Sequence, residues 1–214
     1  MKKTMILLVF SFIFSCLLFA EDPETIALPA PDFSNASSLY QAFKDRKSTR
    51  NFLDKDISLQ MLSSLLWAAN GVNRPETGHR TAPSAMNARD IDLYVCFSSA
   101  VYLYLPVEHR LQKVGEGDCR PAVADQQDFV ATAPLSLVLV SDLSRFREDN
   151  WQENRITGAY DAGIVAQNVN IFCAAMGLAT VVRGSMDKEA LRELLKLSPS
   201  QHPMLNLPVG YAAD

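Results

Sequence analysis

Arg46-Lys47-Ser48-Thr49-Arg50 places three cations and two hydroxyls in five consecutive positions, between Asp45 and the pair Asn51-Phe52. Guanidinium groups grip phosphate or carboxylate oxygens through paired N–H donors, and a hydroxyl adds a directed bond. Each charge-assisted bond is worth ~1.5–3 kcal/mol net, so three or four would hold one phosphate monoester firmly. In an extended segment residues 46, 48 and 50 share a face, and Arg46, Ser48 and Arg50 would form one comb. Taken alone, the five residues fit a solvated basic turn better than a site.

Two later stretches carry weaker signals. In "TAPSAMNARD" (Thr81 to Asp90), Pro83-Ser84-Ala85 is a small-residue turn that lets a flat ligand approach the backbone. Asn87 offers an amide edge with both a donor and an acceptor, as a pyrimidine-like ring requires. In "MGLATVVRGSMD" (Met176 to Asp187), Gly184 can expose its N–H to a ligand, because glycine permits close approach. Taken alone, the first stretch reads better as an ordinary loop, and the second is a weak signal beside its reading as a helix cap, strand and turn.

Other chemistry finds little support. Cys96, Cys119 and Cys173 form no CxxC pair, and His79, His109 and His202 are isolated from them and from each other. No metal site is expected. Cys96 and Cys173 sit in apolar patterns and read as buried free thiols, so a disulfide framework is not expected. No GxGxxG follows a strand and no P-loop is present, which disfavours a doubly wound dinucleotide-binding sheet and a nucleotide hydrolase.

The 214 residues suit one domain, with 48% hydrophobic and 21% charged residues. The net charge of -4 argues against nucleic acid as a partner, so any phosphate must be met by a local cluster. Residues 1–20 have Lys2 and Lys3, then an apolar run to Ala20 before an acidic start. That order describes a secretory signal peptide, and export to the periplasm or medium is the expected localisation. Leu18 is bulky for a cleavage site after Ala20. Lipidation of Cys16 is an alternative, although the apolar "LLFA" that follows argues against it. An uncleaved tether is another, although the run is short for a span of ~20 residues. Membrane association is expected only if this segment is retained or Cys16 is lipidated. Cleavage removes two of the 20 basic residues and no acid, leaving 18 against 24 and a net -6.

The elements follow from spacing. Residues 21–36 read as a linker and 37–214 as the folded domain. A short helix precedes the basic cluster, and Ser58 caps a second helix with Leu59, Leu62, Leu66 and Ala69 on one face. Residues 72–90 read as a long functional loop. Ile91 to Phe97 and "AVYLYLP" suggest a hairpin, residues 118–131 a helix, and Pro134 to Asp142 a buried strand. Gly158 to Met176 is the longest helical pattern, with one stripe of Tyr160, Ile164, Ile171 and Ala175 and another of Val165, Val169, Phe172 and Met176. A helix apolar on most sides is buried on most sides, here in the core or against a second subunit. "ATVVRG", a helix capped by Asp187, and a final strand at "LPVGYA" complete the chain.

Set in order, these motifs resemble the FMN-dependent nitroreductase family. Arg46, Ser48, Arg50 and Phe52 match its Arg-x-Ser-x-Arg segment and following aromatic. Pro83, Ser84, Ala85 and Asn87 match its Pro-Ser-Ala-x-Asn turn. Asp161 to Thr180 is similar to its long helix ending in Gly-Leu, and Arg183-Gly184-Ser185 and Val209-Gly210-Tyr211 follow. The resemblance runs from about Leu39 to Tyr211.

It implies an α+β fold with a mixed central sheet flanked by helices, in an intertwined homodimer with FMN at the subunit interface. Arg46, Lys47, Ser48 and Arg50 would hold the phosphate. Pro83, Ser84, Ala85 and Asn87 would pack on the flavin from the other subunit. Arg183 and Gly184 would lie near its reactive edge. The implied activity is ping-pong transfer from NADH or NADPH to a small-molecule acceptor such as a nitroaromatic or quinone, with no side chain named as a catalytic acid or base. Export would separate such an enzyme from cytosolic nicotinamides and call for another reductant. An exported FMN-binding or scaffold protein without turnover is the alternative. Many members carry a basic tail past the "GY" strand, whereas this sequence ends in "AAD". Either the other basic residues suffice, or FMN binds less tightly.

Overall fold

The computed structural model describes residues 23–147 and 150–213. The expected signal peptide and Cys16 lie outside the described residues. In chain order the elements are β1 (Thr25–Ala27), α1 (Leu39–Asp45), α2 (Leu59–Asn70), β2 (Val72–Arg74), β3 (His79–Arg80), β4 (Ile91–Cys96), β5 (Ala100–Leu105) and β6 (Arg110–Glu116). Then come α3 (Arg120–Ala124), α4 (Phe129–Thr132), β7 (Leu135–Asp142), α5 (Trp151–Ala175), β8 (Ala179–Thr180), α6 (Lys188–Leu194) and β9 (Gln201–Gly210).

Seven strands form one sheet in the order β1-β6-β5-β4-β7-β9-β8, and β2 and β3 form a separate small hairpin. The sheet ladders are antiparallel; the parallel pairing is an isolated bridge between Ser48 and Thr180. Helices cover both faces, as expected for the α+β class. Strand alternation sorts the core into two layers. Leu93 and Val95 of β4 and Leu135, Leu137 and Leu139 of β7 pack with Leu65, Leu66, Val165, Val169 and Phe172 of α2 and α5. Tyr94, Cys96, Val138 and Val140 pack on the other face with Val123, Val130 and Leu191 of α3, α4 and α6. Each fully buried leucine contributes ~1.5–3 kcal/mol. β7 is buried on both faces, which is why its sequence reads as an unbroken apolar run.

Several elements differ from expectation for local reasons. Thr25–Ala27, within the segment read as a linker, pairs with β6 at the sheet edge. Patterning does not reveal β6 because Leu111 is its one fully buried side chain. The expected 118–131 helix is two short helices, broken at Asp125, whose φ is +53°. The expected 72–90 loop contains the β2–β3 hairpin and a 3-10 turn at Ala85–Asn87. α5 begins seven residues before Gly158, where Asn150 caps it by accepting from Glu153 N–H. Its Val165, Val169 and Phe172 stripe is buried, whereas Tyr160 and Ile164 of the other stripe remain exposed. Ser38, Ser58 and Asp187 cap α1, α2 and α6 with their side chains, the last two as the sequence predicts.

The cysteine reading needs correction. Cys96 is not a free thiol but is bonded to Cys119, with Cα atoms 6.0 Å apart. The β5–β6 hairpin returns the chain so that the start of α3 meets the end of β4, a proximity that residue spacing alone does not show. Cys173 is free and buried, and burial pushes its thiol pKa up.

Candidate functional site

The basic segment leaves α1 at Arg46, whose N–H still closes the helix on Ala42 O at 2.9 Å. Backbone pairing then straps it down from two sides. Thr49 N–H donates to Thr180 O at 3.0 Å, Leu53 N–H to Tyr211 O at 2.9 Å, and Ala213 N–H to Asn51 O at 3.1 Å. Phe52 is buried with Ala133 and Ala179 and anchors the strap. A Cβ at Gly210 would stand 2.7 Å from Pro134 Cδ and 3.2 Å from Phe52 Cδ1. The aromatic of the first motif and the glycine of "VGY" are therefore two sides of one packing contact.

Arg46, Lys47 and Thr49 line a pocket of ≈ 220 Å³, closed by Asn170 and Cys173 of α5 and by Gly177 and Thr180 beyond it. Ser48 and Arg50 are exposed and are not part of its lining. Among the described residues, the side chains of Arg46, Lys47, Ser48 and Arg50 make no hydrogen bond or ion pair. The neighbouring carboxylate of Asp45 is occupied by Gln41 Nε2 at 2.7 and 2.8 Å. Asp45 also lines the strap pocket, so Arg46, Lys47 and Arg50 face one neighbouring carboxylate but form no ion pair among the described residues.

The Pro83–Asn87 turn is held differently. Met86, Asn87 and Arg89 have φ of +53°, +54° and +52°, a left-handed conformation costly for L side chains. Three contacts hold it. Ala85 N–H donates to Asp161 of α5, at 2.9 Å to Oδ2 and 3.2 Å to Oδ1. Arg89 N–H donates to Ser84 Oγ at 2.8 Å. Arg89 Nη2 donates to Thr77 O at 3.0 Å. Pro83, Ser84 and Asn87 line a second pocket of ≈ 220 Å³ with Arg74, His79, Arg80 and Arg89. Burial lowers the Arg80 pKa, with Asp92 pulling it back up.

Arg183 is the site candidate whose side chain turns inward. The residue is 7% exposed, and its guanidinium donates to Val123 O (2.9 Å), Ala124 O (2.9 Å), Asn206 Oδ1 (2.7 Å) and Gln127 Oε1 (3.2 Å). Its backbone pairs in both directions with Asn206. This ties the following residue to α3 and β9. Gly184 is exposed, and among the described residues its N–H has no hydrogen-bond partner.

Within one chain the strap pocket and the turn pocket share no lining residue. The ten expected residues are therefore grouped rather than assembled: Arg46 and Lys47 at the strap pocket, Pro83, Ser84 and Asn87 at the other, Gly184 at the surface. Sequence reasoning missed Arg80, Arg89, Asp90 and Asp161, which support or border the turn. The one available signal was the acid pair flanking otherwise apolar or small-residue stretches, Asp90 before β4 and Asp161 inside α5.

The Nitroreductase family model matches residues 43–211. A candidate nitroreductase of Methanocaldococcus jannaschii is 29% identical over 196 residues, covering 87% of this chain and 97% of the relative. A crystal structure of a candidate nitroreductase from Ralstonia eutropha superposes with a TM-score of 0.82 at 38% identity, covering 90% of this chain and 94% of that one. A candidate NADH oxidase from Clostridium acetobutylicum shares the fold, with a TM-score of 0.57 at 20% identity over 83% and 89% of the two chains. Strap, turn, long helix and terminal "VGY" lie in or against the matched region in the expected order. The chain belongs to the nitroreductase family and is an oxidoreductase.

Proposed function

We propose that the protein is an FMN-dependent oxidoreductase that passes electrons from NADH or NADPH to a flat, electron-poor acceptor such as a nitroaromatic or quinone. The observation that carries this reading is the strap: four cationic or hydroxyl side chains without protein partners beside a pocket. Such a donor set fits a phosphate monoester and the ribityl phosphate of FMN in particular. Pro83, Ser84, Ala85 and Asn87 would pack on the ring, with the remaining amide donors of Asn87 toward the pyrimidine edge. Gly184 would offer its free N–H to the reactive edge, and Arg183 would fix that segment from below through its buried guanidinium. When bound, FMN supplies the hydride and electron chemistry, in a ping-pong cycle whose two substrates use one face in turn.

A homodimer completes the arrangement in this reading. Ile156, Tyr160 and Ile164 on α5 are 48%, 68% and 38% exposed, and Leu39, Tyr40 and Phe43 on α1 are 65%, 77% and 57% exposed. So much uncovered apolar surface suits burial against a second copy. The strap of one copy would then meet the turn of the other, which a single chain leaves apart. Export is also part of the proposal, supported by the Cys96–Cys119 bond, since disulfides persist in oxidising compartments. Cell fractionation tests it.

The primary test is the visible spectrum of the purified protein, with FMN supplied and then NADH and NADPH added in turn. A flavin absorbance that bleaches on reduction and returns with a quinone supports the reading. Protein that stays colourless after incubation with FMN sinks it. Light scattering on the same sample reports the oligomer, and a monomer at micromolar concentration overturns the dimer.

A further inference from the structure

The pocket beside the Pro83–Asn87 turn collects cations that the proposed flavin chemistry does not use. Its ≈ 220 Å³ are lined by Arg74 of β2, His79 and Arg80 of β3, and Arg89 after the turn, with Ser84 and Asn87 between them. No carboxylate belongs to that lining. Arg80 and Arg89 are half-buried, whereas Arg74 is exposed. Among the described residues, the three guanidiniums donate to neutral oxygens alone. Arg74 donates to Asn73 Oδ1 (3.1 Å) and Arg80 O (3.2 Å), Arg80 to Ile91 O (3.2 Å), and Arg89 to Asn87 Oδ1 (3.3 Å) and Thr77 O (3.0 Å). Such bonds fix the planar forks in place without neutralising them, and they leave most of the N–H donors of Arg80 for a ligand.

The acids nearby are engaged elsewhere. Asp92, whose charge acts on Arg80, accepts from Arg145 Nη2 at 2.7 Å. Asp161 shares the narrow adjoining crevice with Arg80 and Arg89, but it accepts from Ala85 N–H and forms no ion pair with either. Asp90 accepts from Ser141 Oγ at 2.6 Å. Glu76, in the hairpin between Arg74 and His79, is exposed and forms no ion pair among the described residues. Burial foremost lowers the Arg80 pKa, and the like charges of Arg145 and Arg89 add to that effect against Asp92. Like charges gathered at a half-buried site cost free energy that an anionic ligand offsets.

We propose that this pocket is an oxyanion site, separate from the strap, for a phosphate monoester or similar dianion carried by a substrate. Three cations with no acid in the lining match a dianion more fully than a single carboxylate. Guanidinium forks bind phosphate oxygens in pairs. Ser84 Oγ accepts from Arg89 N–H and keeps its own proton to donate. The volume suits one substituent rather than a whole flavin or dinucleotide. Pro83, Ser84 and Asn87 belong both to this lining and to the turn that would pack on the flavin. An anion held here would therefore anchor a substrate at the margin of the ring and orient it. That a substrate supplies the anion rests on the flavin reading; that the pocket takes an anion does not. Two sources share this chemistry: the 2′-phosphate that distinguishes NADPH from NADH, and a phosphate group on the acceptor.

The test is a titration of the full-length protein, supplied with FMN, with inorganic phosphate at constant ionic strength, read at the arginine Nε–H resonances by NMR. The Arg80 and Arg89 resonances should shift together and saturate. Arg74→Gln removes one charge-assisted contact and should weaken phosphate binding by about tenfold or more, with unchanged far-UV circular dichroism. Arg74 is exposed, so this variant serves even where Arg80→Gln, which loses the bond to Ile91 O, fails to fold. FMN affinity by flavin fluorescence should be the same in Arg74→Gln as in the wild type. The phosphate shift at Arg80 should persist in Arg46→Ala combined with Arg50→Ala. Binding of 2′-AMP about tenfold tighter than 5′-AMP assigns the anion to NADPH, and equal or weaker binding assigns it to the acceptor. Resonances that do not saturate, or an Arg74→Gln variant that binds phosphate like the wild type, overturn the proposal. Loss of FMN from Arg74→Gln overturns it too, by placing the flavin phosphate here rather than at the strap. If FMN does not bind at all, the flavin reading fails and the arginine resonances still decide this one.

Discussion

Arg46 and Arg50 on the strap and Arg183 below Gly184 are the same side chain under opposite conditions. The strap arginines have no protein partner; Arg183 has four acceptors and almost no exposure. A cation on the surface costs little to leave unpaired and remains available to a ligand. A buried guanidinium must have its donors satisfied by the protein, and so acts as a structural tie. Both lie in motifs that carry the family resemblance, yet one should govern affinity and the other stability.

The sharpest way to break that contrast is Arg46→Ala combined with Arg50→Ala. Losing two charge-assisted contacts at ~1.5–3 kcal/mol each predicts FMN binding weaker by about a hundredfold or more, measured by fluorescence titration. Stability to urea should stay within about 0.5 kcal/mol, because no protein contact is lost. If the double variant keeps its flavin, the phosphate is held elsewhere. Arg183→Met tests the opposite pole. It strips donors from Val123 O, Ala124 O and Asn206 Oδ1, and should cost about 2–4 kcal/mol in urea unfolding. A loss below about 0.5 kcal/mol would mean the tie is not structural.

Gly158→Ala probes a third region, where α5 meets Ser141. Its methyl group must displace a fully buried hydroxyl, and overpacking of this kind predicts a loss of about 1–3 kcal/mol. The smallest effect is expected at His109, which bonds Tyr104 OH at 2.9 Å and Ser63 Oγ at 2.8 Å and pins Pro29 O at 3.1 Å. Burial lowers its pKa. A base with a lowered folded-state pKa stabilises above its ordinary value and loses that contribution as pH falls below it. The melting temperature should therefore decline modestly from pH 7 to pH 5. His109→Asn, tolerated at φ +48°, should flatten the decline. A wild-type profile that the substitution leaves unchanged would assign the slope to other groups.

Much of the fold was legible because its signals are local. Ser58 and Asp187 cap helices through their own side chains, and the apolar run of β7 announces a strand buried on both faces. What stayed hidden depends on partners distant in sequence. β6 has a mixed pattern because it lies near the sheet edge, and Cys96 meets Cys119 only after a hairpin returns the chain. The same division runs through the site. The residue types at 46–50 offer donors to an anion, but only the tertiary structure shows that Asp45 accepts from Gln41 and that the cations form no ion pair among the described residues.

By itself the sequence determined the chemistry on offer: a cationic strap, a small-residue turn and a glycine able to present its N–H. Those properties belong to side chains and need no neighbours. The tertiary structure alone decided which of them face outward, that Arg183 is spent inside, and that Asp161 reaches the Ala85 amide across 76 positions. Burial and hydrogen-bond satisfaction are set by packing, and packing joins residues that sequence order keeps apart.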